Sequence, residues 1–228
     1  MAEPGRNGNR KPSGWTALLR PLALAGLAIA AMVAAPGPAT AQVEACRIAV
    51  LGDSLTAAYG LSVNEGFPAR LEAALRDAGR NCAVIDAGVS GDTSAGGLSR
   101  ADWVLADKPS HLIVELGAND ALRALPTDQL ERNLDAIIAK ATAAGVPVFL
   151  AGMLAPPNLG AAYGKSFRQV YEDVADRHDI PLYPFFLDGV AGDHTLNLPD
   201  GIHPTAAGID IIVERIMPTI EQWLDKVS

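Results

Sequence analysis

Metal and redox chemistry have little to work with in this sequence. Two cysteines and four histidines in 228 residues provide no ligands at metal-binding spacing, so no zinc site is expected. Gly-rich dinucleotide and P-loop motifs are missing as well, and no cofactor is expected. Basic residues are scarce: 18 Lys and Arg stand against 26 Asp and Glu, a formal charge of −8. That balance argues against a nucleic-acid partner, because phosphate binding needs a basic footprint, and it disfavours anionic lipid headgroups. Only one long hydrophobic run occurs, at 21–35. It is short for a bilayer span and runs into Pro36-Gly37-Pro38.

What surrounds that run reads as an address. Arg6, Arg10, Lys11 and Arg20 precede it, and Ala39-Thr40-Ala41 follows with Gln42 next. This is the pattern of a cleaved secretory signal over residues 1–41, preferred to an uncleaved anchor. The remaining 42–228 carries 14 basic and 25 acidic residues, a charge of −11. It is one domain of ordinary size, expected in the periplasm or outside the cell with no stable membrane span after cleavage.

After residue 42 there is no internal repeat or low-complexity stretch. Short apolar runs at 47–51, 83–87, 112–116, 147–151 and 182–186 alternate with helical patterns. Leu130, Leu134, Ile137, Ile138 and Ala141 recur at helical spacing, with Thr127 as the expected N-cap and Gly145 and Pro147 as the stop. Phe67, Leu71, Ala74 and Leu75 mark an earlier helix ending near Gly79, and 163–178 a later one. A last helix carries Ile209, Ile212, Val213 and Ile216, with a kink expected at Pro218. Strands alternating with helices predict an α/β fold of three layers, a five-stranded parallel sheet covered on both faces. Cys46 and Cys82 each precede a predicted strand. If those strands are neighbours, the pair comes within disulfide reach; two buried thiols is the other reading.

Ligands of open parallel sheets bind at the carboxyl ends of the strands. The loops there read Gly52-Asp53-Ser54-Leu55, Gly88-Val89-Ser90-Gly91-Asp92-Thr93, Gly117-Ala118-Asn119-Asp120 and, before the last helix, Asp200-Gly201-Ile202-His203-Pro204. A serine nucleophile needs a base, and the base needs an orienting acceptor. Ser54, His203 and Asp200 fit those roles. The N–H groups of Ser54 and Gly91 and the amide of Asn119 fit as donors to a developing oxyanion. Taken singly, each tetrapeptide is turn or cap chemistry; four on one edge argue for a site. His111 lies at the wrong end of its strand and His178 at a helix terminus, which leaves His194 as the rival base. An α/β-hydrolase nucleophile elbow is excluded because Thr56 stands where that motif requires glycine.

The pattern resembles the GDSL, or SGNH, hydrolase family. Ser54 lies in Gly-Asp-Ser-Leu, Gly91 in Ser-Gly-Asp-Thr, Asn119 in Gly-Ala-Asn-Asp and His203 in Asp-Gly-Ile-His-Pro. The stretches 114–117 and 180–186 look most like the bacterial periplasmic acyl-CoA thioesterase I, lysophospholipase and arylesterase group. The resemblance implies a Ser54–Asp200–His203 triad, an oxyanion hole of Ser54, Gly91 and Asn119, and a flavodoxin-like strand order 2-1-3-4-5. That order makes the first two strands neighbours, as a Cys46–Cys82 bridge requires.

The expected function is a secreted serine esterase acting on aryl or acyl esters, thioesters or lysophospholipids whose acyl or aryl group is apolar. Leu122, Leu125, Met153 and Leu154 are expected to wall the acyl site. Two alternatives share the sequence: a carbohydrate O-deacetylase with the same triad, and a non-catalytic acyl-lipid binding protein. None of the three tryptophans, Trp15, Trp103 and Trp223, lies in a candidate loop to make a sugar platform.

Overall fold

In a computed structural model of the chain, residues 46–227 are described; the expected signal segment lies outside them. Five strands, β1 (Arg47–Gly52), β2 (Ala83–Gly88), β3 (His111–Glu115), β4 (Val148–Ala151) and β5 (Leu182–Tyr183), pair in parallel in the order β2-β1-β3-β4-β5. The interior strands are unbroken apolar stretches: all four residues of β4 are buried, as are Ile48 through Gly52 of β1. Such runs are what a sheet covered on both faces demands. β2, at the edge, stays partly exposed along its length.

Among the described residues six α-helices accompany the sheet: α1 (Phe67–Asp77), α2 (Ser94–Ala106), α3 (Ala118–Leu122), α4 (Thr127–Ala143), α5 (Ala161–His178) and α6 (Ala206–Val227). α1 packs against α6, and α4 packs against both α2 and α5, giving one helical layer on each face of the sheet. The apolar stripe of α4, Leu130 to Ala141, is wholly buried.

Several local expectations need correction. Thr127 is the first helical residue of α4, and Pro126 takes the cap position; Pro cannot donate and suits that boundary. The fifth strand is two residues long, because Pro184 has no N–H to continue the ladder. Contact with β4 resumes when Phe186 donates to the Gly152 carbonyl at 2.8 Å. Pro218, where a kink is expected, lies inside α6, which continues as one helix on both sides of it.

Cys46 and Cys82 are joined, with Cα atoms 4.5 Å apart. Pairing of Arg47 with Ala83 brings the amino ends of β1 and β2 side by side, which is the adjacency the bridge needs.

Candidate active site

Strand order reverses around β1, between its neighbours β2 and β3, and that is where crevices form in parallel sheets. The loops leaving β1, β2 and β3 meet there with the segment that precedes α6. Ser54 lies two residues past the end of β1. Gly52 before it allows a tight turn, since a Cβ there would lie 1.9 Å from Thr56 Oγ1.

His203 Nε2 lies 2.9 Å from Ser54 Oγ, and its Nδ1 lies 2.7 Å from Asp200 Oδ2. The other carboxylate oxygen of Asp200 accepts the backbone N–H groups of Ile202 and His203 at 2.9 and 3.0 Å. Those two N–H groups, with the imidazole contact, hold the Asp200 carboxyl down at about 2, so it is an anion at neutral pH. The loop bearing this pair is braced. Leu198 N–H donates to the His203 carbonyl at 2.7 Å, and buried Asn197 donates to the Val190 and Asp193 carbonyls. His194, the rival base, does not line the cleft. His111 stacks edge-on to Trp223, and His178 pairs with Asp135.

The three residues expected to supply donors, Ser54, Gly91 and Asn119, line one cleft. Gly91 has φ +85°, a conformation L side chains rarely adopt, and its carbonyl is held by Arg123 Nη2 at 2.8 Å. Among the described residues, no acceptor takes the N–H of Ser54 or of Gly91. Asn119 lies inside α3, not in an open loop. Its amide does have a partner: Nδ2 donates to Asp53 Oδ2 at 3.0 Å, which leaves the second amide hydrogen for a ligand.

A buried polar layer, not visible in the sequence, supports these groups. Asp53 is fully buried and also accepts Leu55 N–H at 3.0 Å. Burial pushes its carboxyl up to about 6, against the opposing pull of Leu55 and Asn119. Behind it, Glu115 accepts the Thr56 hydroxyl at 2.9 Å and Asp53 N–H at 3.4 Å, while its other oxygen finds no partner among the described residues. Burial and the nearby Asp53 carboxylate raise the Glu115 pKa well above its ordinary value and favour the neutral acid. Asp120 accepts the Ser94 N–H and hydroxyl at 2.7 and 2.6 Å, tying α3 to the start of α2. Arg100 joins Asp92 to the Ala87 and Gly52 carbonyls at the ends of β2 and β1.

The site opens on a cleft of about 710 Å³ whose walls are mainly apolar. Leu122, Met153 and Leu154 line it, joined by Tyr59, Phe185 and Ile202, which the sequence reading missed. Leu125 does not line it. α3 ends at Leu122, Ala124 turns the chain with φ +49°, and the Leu125 carbonyl accepts the Tyr163 hydroxyl. Polarity at one edge and a broad apolar wall beside it suit acyl transfer from a substrate with an apolar acyl or aryl portion.

Residues 50–211 match the model of the GDSL-like Lipase/Acylhydrolase family. The chain is 42% identical over 186 residues to Esterase TesA of Pseudomonas aeruginosa, covering 81% of this chain and 92% of that one. It is 35% identical to the Arylesterase of Vibrio mimicus (78% and 90% covered) and 34% identical to Thioesterase 1/protease 1/lysophospholipase L1 of Escherichia coli K12 (78% and 80%). The crystal structure of TesA superposes with a TM-score of 0.75 at 42% identity, over 78% of this chain and 99% of that one.

Proposed function

From the premise that the chain belongs to the GDSL-like lipase/acylhydrolase family and is a carboxylic ester hydrolase, we propose that it works through an acyl-enzyme on Ser54. His203 takes the Ser54 proton as Oγ bonds to the carbonyl carbon, and the carbonyl electron pair becomes an oxyanion. The N–H groups of Ser54 and Gly91 and the Asn119 amide receive that charge. The tetrahedral species collapses as His203 returns the proton to the leaving alcohol, phenol or thiol. Water then repeats the sequence with the same base to release the acid. Asp200 holds the imidazole in the tautomer that presents Nε2 as acceptor to Ser54 and stabilises the cation that forms.

The observation that carries this reading is the unbroken relay from Asp200 through His203 to Ser54, at 2.7 and 2.9 Å, opening on an apolar cleft. Apolar walls favour aryl esters, short to medium acyl esters, acyl thioesters and lysophospholipids as substrates over acetylated sugars. The esterase, arylesterase, thioesterase and lysophospholipase activities named for the relatives lie within that range, and the protease activity named for one of them does not. Export, with residues 1–41 removed, is part of the same reading; among the described residues no helix is long and apolar enough to cross a membrane. Labelling with a fluorophosphonate tests the nucleophile. Ser54→Ala should abolish both labelling and p-nitrophenyl ester hydrolysis with the fold intact. Labelling that survives in Ser54→Ala and disappears in Ser90→Ala would reassign the nucleophile to Ser90.

A further inference from the structure

Tyr59 is half exposed, yet its ring is tightly placed. Its centroid lies 4.3 Å from that of His203, with the planes tilted by 33°, an arrangement closer to stacked than to edge-on. The backbone that presents it is unusual. Ala58 has φ +54° and Gly60 φ +76°, so Tyr59 sits between two left-handed residues, one of them carrying a side chain. A non-glycine residue held there carries a strain of order 1 kcal/mol or more and persists only where its surroundings enforce it. Tyr59 N–H also donates to the Ser54 carbonyl at 3.2 Å, which ties this turn to the nucleophile. A strained turn that sets an aromatic ring on the base of the relay does not serve core packing, because the residue is 51% exposed.

We infer that Tyr59 is a positioning residue for His203: its ring face holds the imidazole in line with Ser54 and Asp200 and favours the imidazolium formed when Ser54 attacks. This rests on the Ser54–His203 reading above. The imidazole edges are occupied by Asp200 at Nδ1 and Ser54 at Nε2, so a face is what remains for Tyr59 to support. An aromatic face attracts a cation within about 6 Å of its centroid, and more strongly where water is excluded. The His203 side chain is 16% exposed. The charged and titratable groups facing His203 are Asp200 from its own loop, Asp53 from the β1 turn, whose charge acts on the imidazole, and Tyr59 itself. The two carboxylates act by charge, whereas Tyr59 acts on the face they leave open. Both acylation and deacylation place a proton on His203, so whichever step limits turnover should depend on the ring.

Kinetics on p-nitrophenyl butyrate with the full chain separates this role from wall-building. Tyr59→Leu should lower kcat about 3- to 30-fold with KM within twofold, and should move the acid limb of the kcat/KM profile to lower pH. Tyr59→Phe, which keeps the face and loses only the hydroxyl, should retain at least half of kcat. Tyr59→Gln, a polar residue suited to an exposed position, should behave as Tyr59→Leu. A Tyr59→Leu enzyme with unchanged kcat and acid limb but raised KM would overturn the inference and make Tyr59 a cleft wall. Equal losses in Tyr59→Phe and Tyr59→Leu would overturn it in favour of the hydroxyl. Ser54→Ala and His203→Ala, measured beside them, test the underlying reading separately: activity surviving in those two would remove the relay itself, whatever Tyr59 does.

Discussion

Asp53 stands between the nucleophile and the oxyanion donor, and its burial acts in two directions. The folded chain holds this carboxyl's proton more tightly than the unfolded chain, with the pKa raised from 3.8 to about 6. Its contribution to stability is therefore best below pH 4 and is lost as pH rises through 6, so the ionised carboxylate destabilises the fold at neutral pH. Asp53→Asn removes that ionisation and can still accept Leu55 N–H. It also sets two amides face to face where Asn119 now meets a carboxylate. We predict a variant with a Tm higher than its parent at pH 7.5 and equal to it near pH 4, together with a fall in kcat approaching the roughly 10²–10³-fold cost of losing an oxyanion donor. Paired melts at the two pH values and a kcat determination check it; an unchanged kcat would mean that Asn119 needs no anchor. Sequence reading found Ser54, His203 and Asn119 because four loops fall on one sheet edge and together supply nucleophile, base and amide, although each alone is ordinary turn or cap chemistry. Asp53 and Glu115 passed as ordinary turn and strand residues. Their roles come from contacts across more than sixty positions of chain, which no local pattern carries.

Among the elements, β1 links two ends of the molecule with different tasks. Its amino end is bridged to β2 through Cys46 and Cys82, and its carboxyl end delivers Ser54. Six residues at roughly 3.3 Å each separate them by about 20 Å. Opening a bridge that spans 36 positions should cost about 4 kcal/mol by the chain-entropy estimate. The relay, at the far end of a buried strand, should not register it. Cys46→Ser with Cys82→Ser is thus expected to melt well below the parent and to keep kcat within about twofold at 25 °C. A kcat that falls in step with stability would show that the amino end of β1 sets the nucleophile's geometry. β1, β3 and β4 were legible because buried parallel strands are apolar runs, β2 because its short apolar run Ala83-Val84-Ile85 persists at the edge, and α4 because its stripe repeats at 3.6 residues. α2 was not singled out: its thirteen residues include two glycines and no continuous apolar stripe. Its start is fixed instead by the Thr93 side chain and by Asp120 from α3. β5 was drawn too long because apolar composition continues to Phe186, whereas Pro184 interrupts the ladder and only a single bond, from Phe186 N–H to the Gly152 carbonyl, follows it.

For the molecule as a whole, charge sets a preference that the cleft alone does not. With or without residues 1–41 the chain is acidic, −8 or −11, and an anionic substrate must approach against that field. Acyl-CoA carries several phosphate charges, whereas a p-nitrophenyl ester carries none, so the two probe different parts of one site. Screening extends over about 30 Å at 0.01 M salt and contracts to about 8 Å at 0.15 M. If the whole-molecule field governs encounter, kcat/KM for an acyl-CoA should rise several-fold across that range, while the aryl ester stays flat. One local feature opposes this. Arg123 is exposed, and it holds the Gly91 carbonyl beside the oxyanion donors, so a phosphate near the cleft mouth would meet a cation. Were that contact dominant, the acyl-CoA rate would fall with salt instead of rising, and Arg123→Gln would restore the rise. A single salt titration on both substrates, repeated in Arg123→Gln, decides between the global field and the local cation. Expectation lies with the global field, because Arg123 already spends part of its hydrogen-bonding capacity on Gly91, whereas the net negative charge is spread over the whole domain.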